Sequence, residues 1–449
     1  MREVLIKTEE FKDSPLGNIP KDWDVVTLGL LFQIQAGATP LRTKHQSYFA
    51  GGTIPWIKTM DLNEGWILDS DEKITEVALK ECSVQMLPPK TVLIAMYGGW
   101  EQIGRTGILK YPATTNQAIS SLVKISSLVE SEFVIRALQH GRIRWKGLAA
   151  STRKDPNITK DDVVNFLIPL PSLPEQRHIA EILDTVDEAI ARTSSLIIKL
   201  KQTKAGLLQD LLTRGLDENG KLRDPEAHPE QFKDLALGRI PQKWTVKEFG
   251  EYIAHLDSGW SPICEAEPVA NGEWGVLKTT AVVWSGYNPS ESKKLPSNLE
   301  PRYSSVVETD DILITRKGPR ERVGVVVHIP STPANLMMPD TVFRVRLKES
   351  SPLLPAFIPL TLGSVAVQQD WNRKKVGLAE AQVDINYGIV RETIIYIPPK
   401  SEQKYIIQIL NTYDTRIRTE EAYLNKLKLQ KQGLMQDLLT GKVRVSTIR

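Results

Sequence analysis

The chain carries one stretch of sequence twice. The first copy, FKDSPLGNIPKDWDVVTLG at residues 11–29, matches FKDLALGRIPQKWTVKEFG at residues 232–250 in 10 of 19 positions, with an offset of 221. A second repeated segment lies further on, as GLLQDLLT at 206–213 and GLMQDLLT at 433–440, with an offset of 227. Two matches with nearly equal offsets indicate an internal duplication, which predicts two copies of one folded unit.

The interiors of the two copies differ more than their ends. The segment VLIAMYGGWEQIGRTGIL at 92–109 aligns with ILITRKGPRERVGVVVHI at 312–329, with an offset of 220. In the same comparison, Lys58-Thr59 aligns with Lys278-Thr279. A retained scaffold with a varied interior suits two copies of one fold that recognise different things.

Each copy is followed by a long segment with helical periodicity. The first opens with Pro174-Glu175-Gln176 and the second with Ser401-Glu402-Gln403. Ser172 and Glu175 fit a capping box, Pro174 suits the first turn, and Gly215 marks the end. Residues 175–213 therefore predict a helix of about 39 residues and roughly 59 Å, and the second helix is expected to be equally long.

Apolar residues recur every seven positions along both helical segments. Two helices with matching stripes are expected to bury them against each other as an antiparallel coiled coil. The predicted helix-pairing residues are Ile179, Leu183, Val186, Ile190, Ile197, Leu200, Leu207, Leu211, Ile406, Leu410, Tyr413, Ile417, Leu424, Leu427, Leu434 and Leu438. Arg416, Glu420 and Lys431 fall on or beside this seam and are interpreted as register or edge residues. The helices alone are equally compatible with a scaffold or a homodimerising protein.

The remainder of each copy reads as α/β with many short strands. Buried strands are predicted at TVLIAMY 91–97, DILITR 311–316, GVVVHI 324–329 and TVFRVRL 341–347. The expected fold class is α+β or α/β, with two similar domains in pseudo-twofold symmetry, separated by two long antiparallel coiled-coil helices. The predicted divisions are 1–173, 174–214, 215–400 and 401–449.

Basic and aromatic residues cluster in the predicted loops. The net charge of +3 permits nucleic-acid binding without demanding it. Lysine and arginine neutralise phosphates, arginine also reads guanine, and amides such as Asn116 and Gln117 can read adenine. The candidate DNA-binding residues are Arg42, Lys44, Lys58, Tyr97, Arg105, Arg142, Arg144, Lys146, Arg153, Lys278, Arg316, Lys317, Arg320, Arg322, Arg373 and Lys374. For any one of them a solvated surface charge is the simpler alternative, whereas Trp23 and Trp244 are expected in the core.

Motifs that would give the chain its own chemistry are missing from the sequence. Walker A, Asp/Asn/Ser-Pro-Pro-aromatic, HExxH and GxSxG patterns do not occur. Pro339-Asp340 resembles the start of a nuclease site, but Arg346 stands where a metal-binding carboxylate is needed. The six histidines lack ligand spacing, and Cys82 and Cys264 cannot form a CxxC site. We therefore expect no catalytic residue and no metal site, and the absence of a signal segment or apolar span favours a cytoplasmic protein.

The repeated motifs resemble those of the specificity subunits of type I restriction–modification systems. G-x-I-P-x-x-W opens each repeat, I-P-L-P-S-L-P-E-Q-R at 168–177 leads into the first helix, and G-L-L/M-Q-D-L-L-T closes both helices. The likeness extends from about Phe11 to Val443. The second helix entry, I-P-P-K-S-E-Q at 397–403, is a degenerate copy that lacks the intervening Leu-Pro.

This resemblance implies a division of labour. Residues 1–173 and 215–400 would be target recognition domains, each binding half of a split double-stranded DNA site, and the helices would be spacers. Two methyltransferase (M) subunits and restriction/translocase (R) subunits would methylate adenine and cleave DNA. S-adenosylmethionine, ATP and Mg would then belong to those partners, and this chain would hold no cofactor. The alternatives are a free-standing sequence-specific DNA-binding regulator, an autonomous nuclease or methyltransferase with an unrecognised site, and a scaffold that does not bind DNA.

Overall fold

The computed structural model describes residues 2–149, 157–235, 238–264, 267, 269–270, 272–379 and 382–448. The α-helices are α1 Leu28–Leu31, α2 His45–Tyr48, α3 Glu76–Glu81, α4 Ser131–His140, α5 Arg142–Ala149, α6 Lys160–Val164, α7 Leu173–Thr213, α8 Ile358–Leu362, α9 Val365–Lys374, α10 Tyr387–Arg391 and α11 Lys400–Leu439. The strands are β1 Arg2–Lys7, β2 Phe11–Lys12, β3 Ile19–Pro20, β4 Asp24–Thr27, β5 Phe32–Ala36, β6 Ile54–Ile57, β7 Trp66–Ile67, β8 Glu72–Ile74, β9 Val92–Ala95, β10 Thr106–Leu109, β11 Thr114–Thr115, β12 Ile119–Lys124, β13 Leu167–Leu170, β14 Phe232–Leu235, β15 Gly238–Pro241, β16 Thr245–Glu248, β17 Ile253–Ser258, β18 Gly275–Leu277, β19 Val282–Val283, β20 Gly286–Tyr287, β21 Ser292–Lys294, β22 Ile312–Thr315, β23 Lys317–Gly318, β24 Val326–His328, β25 Leu336–Met337, β26 Val342–Leu347, β27 Val376–Ala379, β28 Gln382–Asp384, β29 Ile394–Ile397 and β30 Val443–Ile448.

The chain folds into two compact units, and the boundaries of neither unit coincide with those of one sequence repeat. Unit 1 comprises Met1–Ser195 together with Glu421–Arg449, and unit 2 comprises Leu196–Glu420. Each unit therefore contains the interior of one repeat, the start of one long helix and the end of the other. In unit 1, β1 and β30 pair antiparallel, so the first and last strands of the chain lie side by side.

A five-stranded sheet with the order β5-β12-β9-β10-β7 forms the centre of unit 1. The predicted strand TVLIAMY is confirmed as β9, which is buried along its whole length. Its side chains alternate between two cores, because Val92 and Ile94 belong to one apolar cluster and Leu93 and Ala95 to another. This two-residue period is what a strand covered on both faces requires.

Unit 2 has an antiparallel sheet with the order β17-β26-β22-β24. The three strands predicted in this repeat are confirmed as β22, β24 and β26. Strand β22 divides its side chains as β9 does, since Ile312 and Ile314 face one apolar cluster and Leu313 faces the other. Each unit thus has a central strand of its own that is covered on both faces.

The long helices confirm the predicted pairing within each unit. In unit 1, Ile179 and Leu183 near the start of α7 share a core with Leu438 near the end of α11. In unit 2, Leu211 near the end of α7 shares a core with Ile406 near the start of α11. The two helices therefore run antiparallel in both units. All sixteen residues of the predicted stripes are buried or half-buried.

One ion pair recurs in the helix seam of each unit. In unit 1, Lys431 Nζ lies 2.6 Å from Asp187 Oδ1, and in unit 2, Lys204 Nζ lies 2.5 Å from Asp414 Oδ1. The two lysines are 227 residues apart, as are the two aspartates. Both ion pairs are therefore formed by residues at equivalent positions of the two repeats. Each lysine occupies a position of the apolar stripe, where a charge is costly unless it meets its partner.

A buried carboxylate anchors the start of each long helix. In unit 1, Glu175 Oε2 accepts hydrogen bonds from Trp23 Nε1 at 3.1 Å and Arg444 Nη2 at 2.7 Å. The capping-box prediction for Glu175 is therefore wrong, because its carboxylate bonds Trp23 and Arg444 instead of the backbone at Ser172. The predicted core position of Trp23 is confirmed, since its side chain is fully buried.

Unit 2 repeats this anchor with equivalent residues. Glu402 Oε2 accepts from Trp244 Nε1 at 3.1 Å and from Arg223 Nη2 at 3.1 Å, and Glu402 Oε1 accepts from the backbone N–H of Leu216 at 2.7 Å. Gly215, the predicted helix end, has a φ of +62°, and a Cβ there would lie 2.2 Å from Glu402 Oε1. Only glycine fits this position, since the helix must turn directly over the anchor.

Candidate nucleic-acid interface

A group of basic residues lies in unit 2. It joins the loop that follows β22 to the last turn of α9. We name it the basic cluster, and its members are Arg316, Lys317, Arg320, Arg322, Arg373, Lys374 and Lys375. Arg320 Nη1 donates to the carbonyl of Asn372 at 3.2 Å, and Lys375 Nζ donates to the carbonyl of Arg320 at 2.9 Å. The fold thus brings together two runs of predicted DNA-binding residues more than 50 positions apart in the sequence.

Carboxylates form ion pairs with members of the basic cluster. Asp370 lies 2.7 Å from Lys374 Nζ and 3.6 Å from Arg373 Nη2. Burial, and then the nearby guanidinium of Arg320, lower the pKa of Lys375. An anion that approached this surface would stabilise the crowded cations, and a phosphate oxygen is suited to that role.

Arg316 of the basic cluster contacts both a carboxylate and aromatic rings. Its Nη2 lies 3.1 Å from Asp384 Oδ2, and its guanidinium carbon lies 4.7 Å from the centre of the Phe343 ring. The centre of the Tyr387 ring lies 6.0 Å from the same carbon. A planar guanidinium fixed between rings and a carboxylate is pre-organised for a further directional hydrogen bond.

The lysines that both repeats retain are engaged in equivalent ion pairs. Lys58 Nζ lies 2.7 Å from Asp71 Oδ2 and 3.2 Å from Glu72 Oε1, and Lys278 Nζ lies 3.6 Å from Glu291 Oε2. Burial favours a higher pKa for Glu72, but hydrogen bonds from Arg42 and Lys58 hold its pKa below the usual value. A shared ion pair explains why both repeats keep a lysine here, and DNA contact by either lysine stays a prediction.

Two of the predicted arginines of unit 1 support its fold. Arg142 Nη1 lies 2.8 Å from Glu64 Oε1, and its Nη2 donates to the carbonyl of Glu101 at 2.7 Å. Arg144 Nη1 donates to the carbonyl of Leu167 at 2.9 Å. Burial lowers the pKa of Arg144. Both guanidiniums are therefore committed to contacts within the unit.

The other candidates of unit 1 lie at or near its surface. Arg42 Nη2 lies 2.6 Å from Glu72, and Lys44 Nζ donates to Tyr48 Oη at 3.0 Å. Arg105 Nη1 donates to Gln102 Oε1 at 3.1 Å. The half-buried Lys146 and the exposed Tyr97 complete the candidates of this unit. Arg153 lies outside the described residues.

The residues around Pro339 belong to a local hydrogen-bond network. The backbone N–H of Asp340 donates to Ser261 Oγ at 3.1 Å, and the Ser261 hydroxyl donates to the Asp340 carboxylate. Arg346 Nε lies 2.6 Å from Asp311 Oδ1. Among the residues that the structure describes, no group of three or more histidine, cysteine or acidic side chains could hold a metal ion. Cys82 and Cys264 are free thiols.

The sequence analysis did not predict that Glu175 and Glu402 form buried anchors with a tryptophan and an arginine. It used Glu175 and Glu402 only as helix starts and did not consider Arg223 and Arg444. A signal was available, because Arg444 lies 221 residues after Arg223, the offset of the opening repeat. Trp145, which lies between the predicted DNA-binding residues Arg144 and Lys146, is fully buried and stacks on Phe166 with 3.6 Å between ring centres.

Two copies of one mixed α and β unit, each with the start of one long helix and the end of the other, define a protein built by internal duplication. Residues 20–202 and 302–429 match the family described as type I restriction modification DNA specificity domain. The match covers more than half of the chain, so the chain belongs to this family. Among the described residues, no helix combines the length and apolar character needed to cross a bilayer.

Known relatives agree with this assignment. The chain is 34% identical over 221 residues to the type I restriction enzyme EcoEI specificity subunit of Escherichia coli, covering 49% of this chain but only 36% of that protein. It is 24% identical over 458 residues to the MjaVIII specificity subunit of Methanocaldococcus jannaschii, covering 98% of each chain. The first match thus spans about a third of its relative, whereas the second is end to end.

Solved structures share the fold. The type I restriction–modification S subunit from M. genitalium aligns with a TM-score of 0.58 and 16% identity, covering 93% of this chain and 96% of that one. A chain from a structure on complex assembly and conformational transition of the type I R-M system aligns with a TM-score of 0.55 and 18% identity, covering 94% and 99%. At this identity the likeness concerns the fold alone.

Proposed function

We propose that this chain is the non-catalytic DNA-specificity subunit of a type I restriction–modification complex. Each unit would bind one half of a bipartite double-stranded DNA target in the cytoplasm. Two methyltransferase subunits and restriction/translocase subunits would supply adenine methylation and cleavage, together with S-adenosylmethionine, ATP and Mg. The observation that carries the proposal is the duplication of one unit within a chain that belongs to the specificity family.

The varied interiors of the units support separate reading of two half-sites. The scaffold anchors at Glu175 and Glu402 are the same in both units, whereas the loops after β9 and β22 differ in charge and in ring content. A protein that read one sequence twice would be expected to repeat these loops. The long helices suit a spacer, because 41 residues of α7 extend for roughly 61 Å, close to the rise of about 18 base pairs.

The basic cluster supports contact with the DNA backbone. It gathers seven cations on the loop after β22 and the last turn of α9, with Asp370 and Asp384 as ion-pair partners. Loops that carry arginine and lysine on a rigid sheet can hold a duplex through its phosphates and fix the register for base reading. Arg316, held between Phe343 and Asp384, is the member best placed for directional contact.

The proposal is tested by expressing the chain with a type I methyltransferase subunit and mapping methylated adenines across the host genome. The expected result is one motif made of two short sequences separated by a fixed unspecified spacer. The methyltransferase without this chain is the control and should leave the motif unmodified. Methylation of the same motif in that control would contradict the proposal.

The alternatives give different results in the same system. A free-standing regulator would bind one sequence tightly as the purified chain and leave the methylation pattern unchanged. An autonomous enzyme would cleave or methylate DNA alone with Mg or S-adenosylmethionine. A scaffold would show no salt-dependent affinity for DNA, whereas phosphate contacts give a steep negative dependence of affinity on salt.

A further inference from the structure

The loops after β9 and β22 share one backbone frame. We name them the unit 1 loop, residues 96–105, and the unit 2 loop, residues 316–325. Four backbone hydrogen bonds of the unit 1 loop recur in the unit 2 loop between residues 220 positions further on. In unit 1, the N–H groups of Gln102 and Ile103 donate to the carbonyl of Gly99 at 3.0 and 3.1 Å, that of Gly104 to Ala95 at 3.0 Å, and that of Ala95 to Arg105 at 2.8 Å. In unit 2, the N–H groups of Arg322 and Val323 donate to the carbonyl of Pro319 at 2.8 and 3.2 Å, that of Gly324 to Thr315 at 2.8 Å, and that of Thr315 to Val325 at 3.0 Å. The two loops are therefore equivalent parts of the fold.

Both loops are fixed against a buried tryptophan. A Cβ on Gly104 would lie 2.8 Å from Trp145, and a Cβ on Gly324 would lie 3.1 Å from Trp371. Both glycines have positive φ, and both tryptophans are fully buried. The base of each loop is thus held in the same way. The tips differ in backbone as well as in side chains, since φ is +84° at Gly99 but −55° at Pro319, and Lys317–Gly318 pair with β28.

The tips carry different chemistry at equivalent positions. Tyr97 and Trp100 in the unit 1 loop correspond to Lys317 and Arg320 in the unit 2 loop. Tyr97 is 43% exposed and Trp100 is 47% exposed. These two large rings at one loop tip expose apolar surface to water instead of packing it against the fold. Exposed apolar surface of this kind is typical of a binding site.

The basic cluster identifies the partner of both tips. Lys317 and Arg320 belong to that cluster, whose charge suits a phosphate backbone. Because the frames are equivalent, the tip with Tyr97 and Trp100 occupies the corresponding face of unit 1. Aromatic rings on such a face contact nucleic acid by stacking on a base or by entering between base steps, which unstacks them.

We propose that the two units hold DNA by different physical means: the unit 1 loop packs Tyr97 and Trp100 against bases, and the unit 2 loop binds phosphates through Lys317 and Arg320. This inference rests on the proposed function, since it concerns the same duplex. Ring contacts displace few counterions, so the affinity they provide depends weakly on salt. Each phosphate contact makes the affinity fall with salt by a further slope of about 0.9 on logarithmic axes.

The test measures affinity against salt for the complex of this chain with its methyltransferase subunits, on a duplex that carries the mapped target. Tyr97→Ala/Trp100→Ala is expected to weaken binding about tenfold or more with an unchanged slope. Lys317→Ala/Arg320→Ala is expected to weaken binding and to reduce the slope by about 0.9 for each lost contact. The conservative Trp100→Phe variant keeps a flat ring and should bind nearly as wild type does.

A conversion variant sharpens the comparison, because the loop frames are alike. Tyr97→Lys/Trp100→Arg should steepen the slope by up to about 0.9 per added contact. Lys243→Ala removes an exposed lysine outside the basic cluster and is the charge control. The fluorescence of 2-aminopurine placed in the half-site read by unit 1 should increase when the wild-type complex binds. It should stay low with the Tyr97→Ala/Trp100→Ala variant.

The outcomes separate this inference from the proposed function. A wild-type complex that does not bind the mapped duplex would overturn the proposed function itself. A wild-type complex that binds, with the same slope for both double alanine variants, would overturn the assignment of different contacts. Loss of methyltransferase subunits from the Tyr97→Ala/Trp100→Ala complex would show that the rings bind protein instead, and it would overturn the inference. If the Lys317→Ala/Arg320→Ala chain does not fold, Lys317→Gln/Arg320→Gln serves in its place.

Discussion

At the scale of single residues, each anchor holds a carboxylate that is almost fully buried at the start of a long helix. Glu402 is 6% exposed, and the side chain of Arg223 beside it is 10% exposed. Charges withdrawn from water to this extent are tolerated because each finds partners, and the loss of one partner leaves the other without compensation. The tryptophan N–H in each anchor adds a directional bond that fixes the scaffold turn against the helix.

Glu402→Gln is expected to destabilise unit 2 by about 3 kcal/mol, because the variant leaves the Arg223 guanidinium buried beside a neutral amide. The measurement is the urea midpoint of unfolding followed by tryptophan fluorescence. Glu218→Gln is the matched control, since its ion pair with Lys243 at 2.9 Å is exposed, and it should change stability by less than about 0.5 kcal/mol. Equal effects of the two variants would contradict the role of the anchor.

His140 predicts a pH dependence for unit 1. Burial, and then the neighbouring Arg144, lower the pKa of His140 in the folded chain below its usual value. The unfolded chain then takes up its proton at higher pH than the folded chain, so acid favours unfolding. The stability that a neutral His140 allows is complete above about pH 6.5 and is lost as the pH falls below that value.

The unfolding temperature of His140→Gln should therefore fall less than that of wild type between about pH 7.5 and about pH 5.5. Differential scanning calorimetry at several pH values measures this difference. His255→Gln, at an exposed histidine of unit 2, is the substitution control. If His140→Gln and wild type lost stability in parallel, the proton uptake would lie elsewhere.

Residue roles were predictable where the repeat constrained them and not where tertiary contacts decide. The core positions of Trp23 and Trp244 follow from their place in the shared scaffold. The commitment of Arg142 to Glu64 does not, because the two residues are 78 positions apart and only the folded chain brings them together. Basic residues in loops can serve the fold or a ligand, and sequence alone does not separate these roles.

At the scale of elements, the seam between α7 and α11 combines apolar stripes with one ion pair in each unit. The stripes favour pairing but are similar along their length, so several registers would bury comparable apolar area. Lys204 and Asp414 meet only when the helices align as they do in unit 2. A polar pair within an apolar seam is a known means of fixing register.

Asp414→Lys is expected to destabilise unit 2 by about 1 kcal/mol, since it sets two ammonium groups together in a partly exposed seam. The double variant Lys204→Asp/Asp414→Lys should recover most of that loss, which a double-mutant cycle on urea midpoints measures. The equivalent pair in unit 1 is less suitable, because Asp187 also binds Arg136 at 2.6 Å. No recovery in the double variant would mean that the pair does not contribute to register.

Elements with strong periodicity were the most predictable. The heptad pattern gave both long helices within a few residues, and four short apolar runs gave β9, β22, β24 and β26. The order of strands in each sheet was not derivable, because pairs such as β10 and β7 join residues 40 or more positions apart. The pairing of β1 with β30 was equally hidden, since it depends on the antiparallel return of α11.

At the scale of the whole molecule, the scaffold residues that both repeats share and the varied interior of each repeat occupy different segments of the chain. Glu175, Trp23 and Arg444 in unit 1 lie outside residues 30–160, as does all of α7. The central sheet and the unit 1 loop lie inside that range. A replacement of residues 30–160 therefore exchanges the central sheet and the unit 1 loop and leaves the anchor residues and both long helices in place.

When residues 30–160 are replaced by the corresponding segment of another specificity subunit, only one half of the methylated motif is expected to change. Unit 2 keeps its own loops and its own hydrogen bonds, so the second half-site should stay the same, and α7 and α11 should keep the spacer length. Genome-wide mapping of methylated adenines reads both halves and the spacer in one experiment. An exchange of residues 251–380 is the reciprocal control and should alter only the other half. A change of both half-sites after either single exchange would mean that the units do not read independently, and the duplicated fold would then act as one recognition surface.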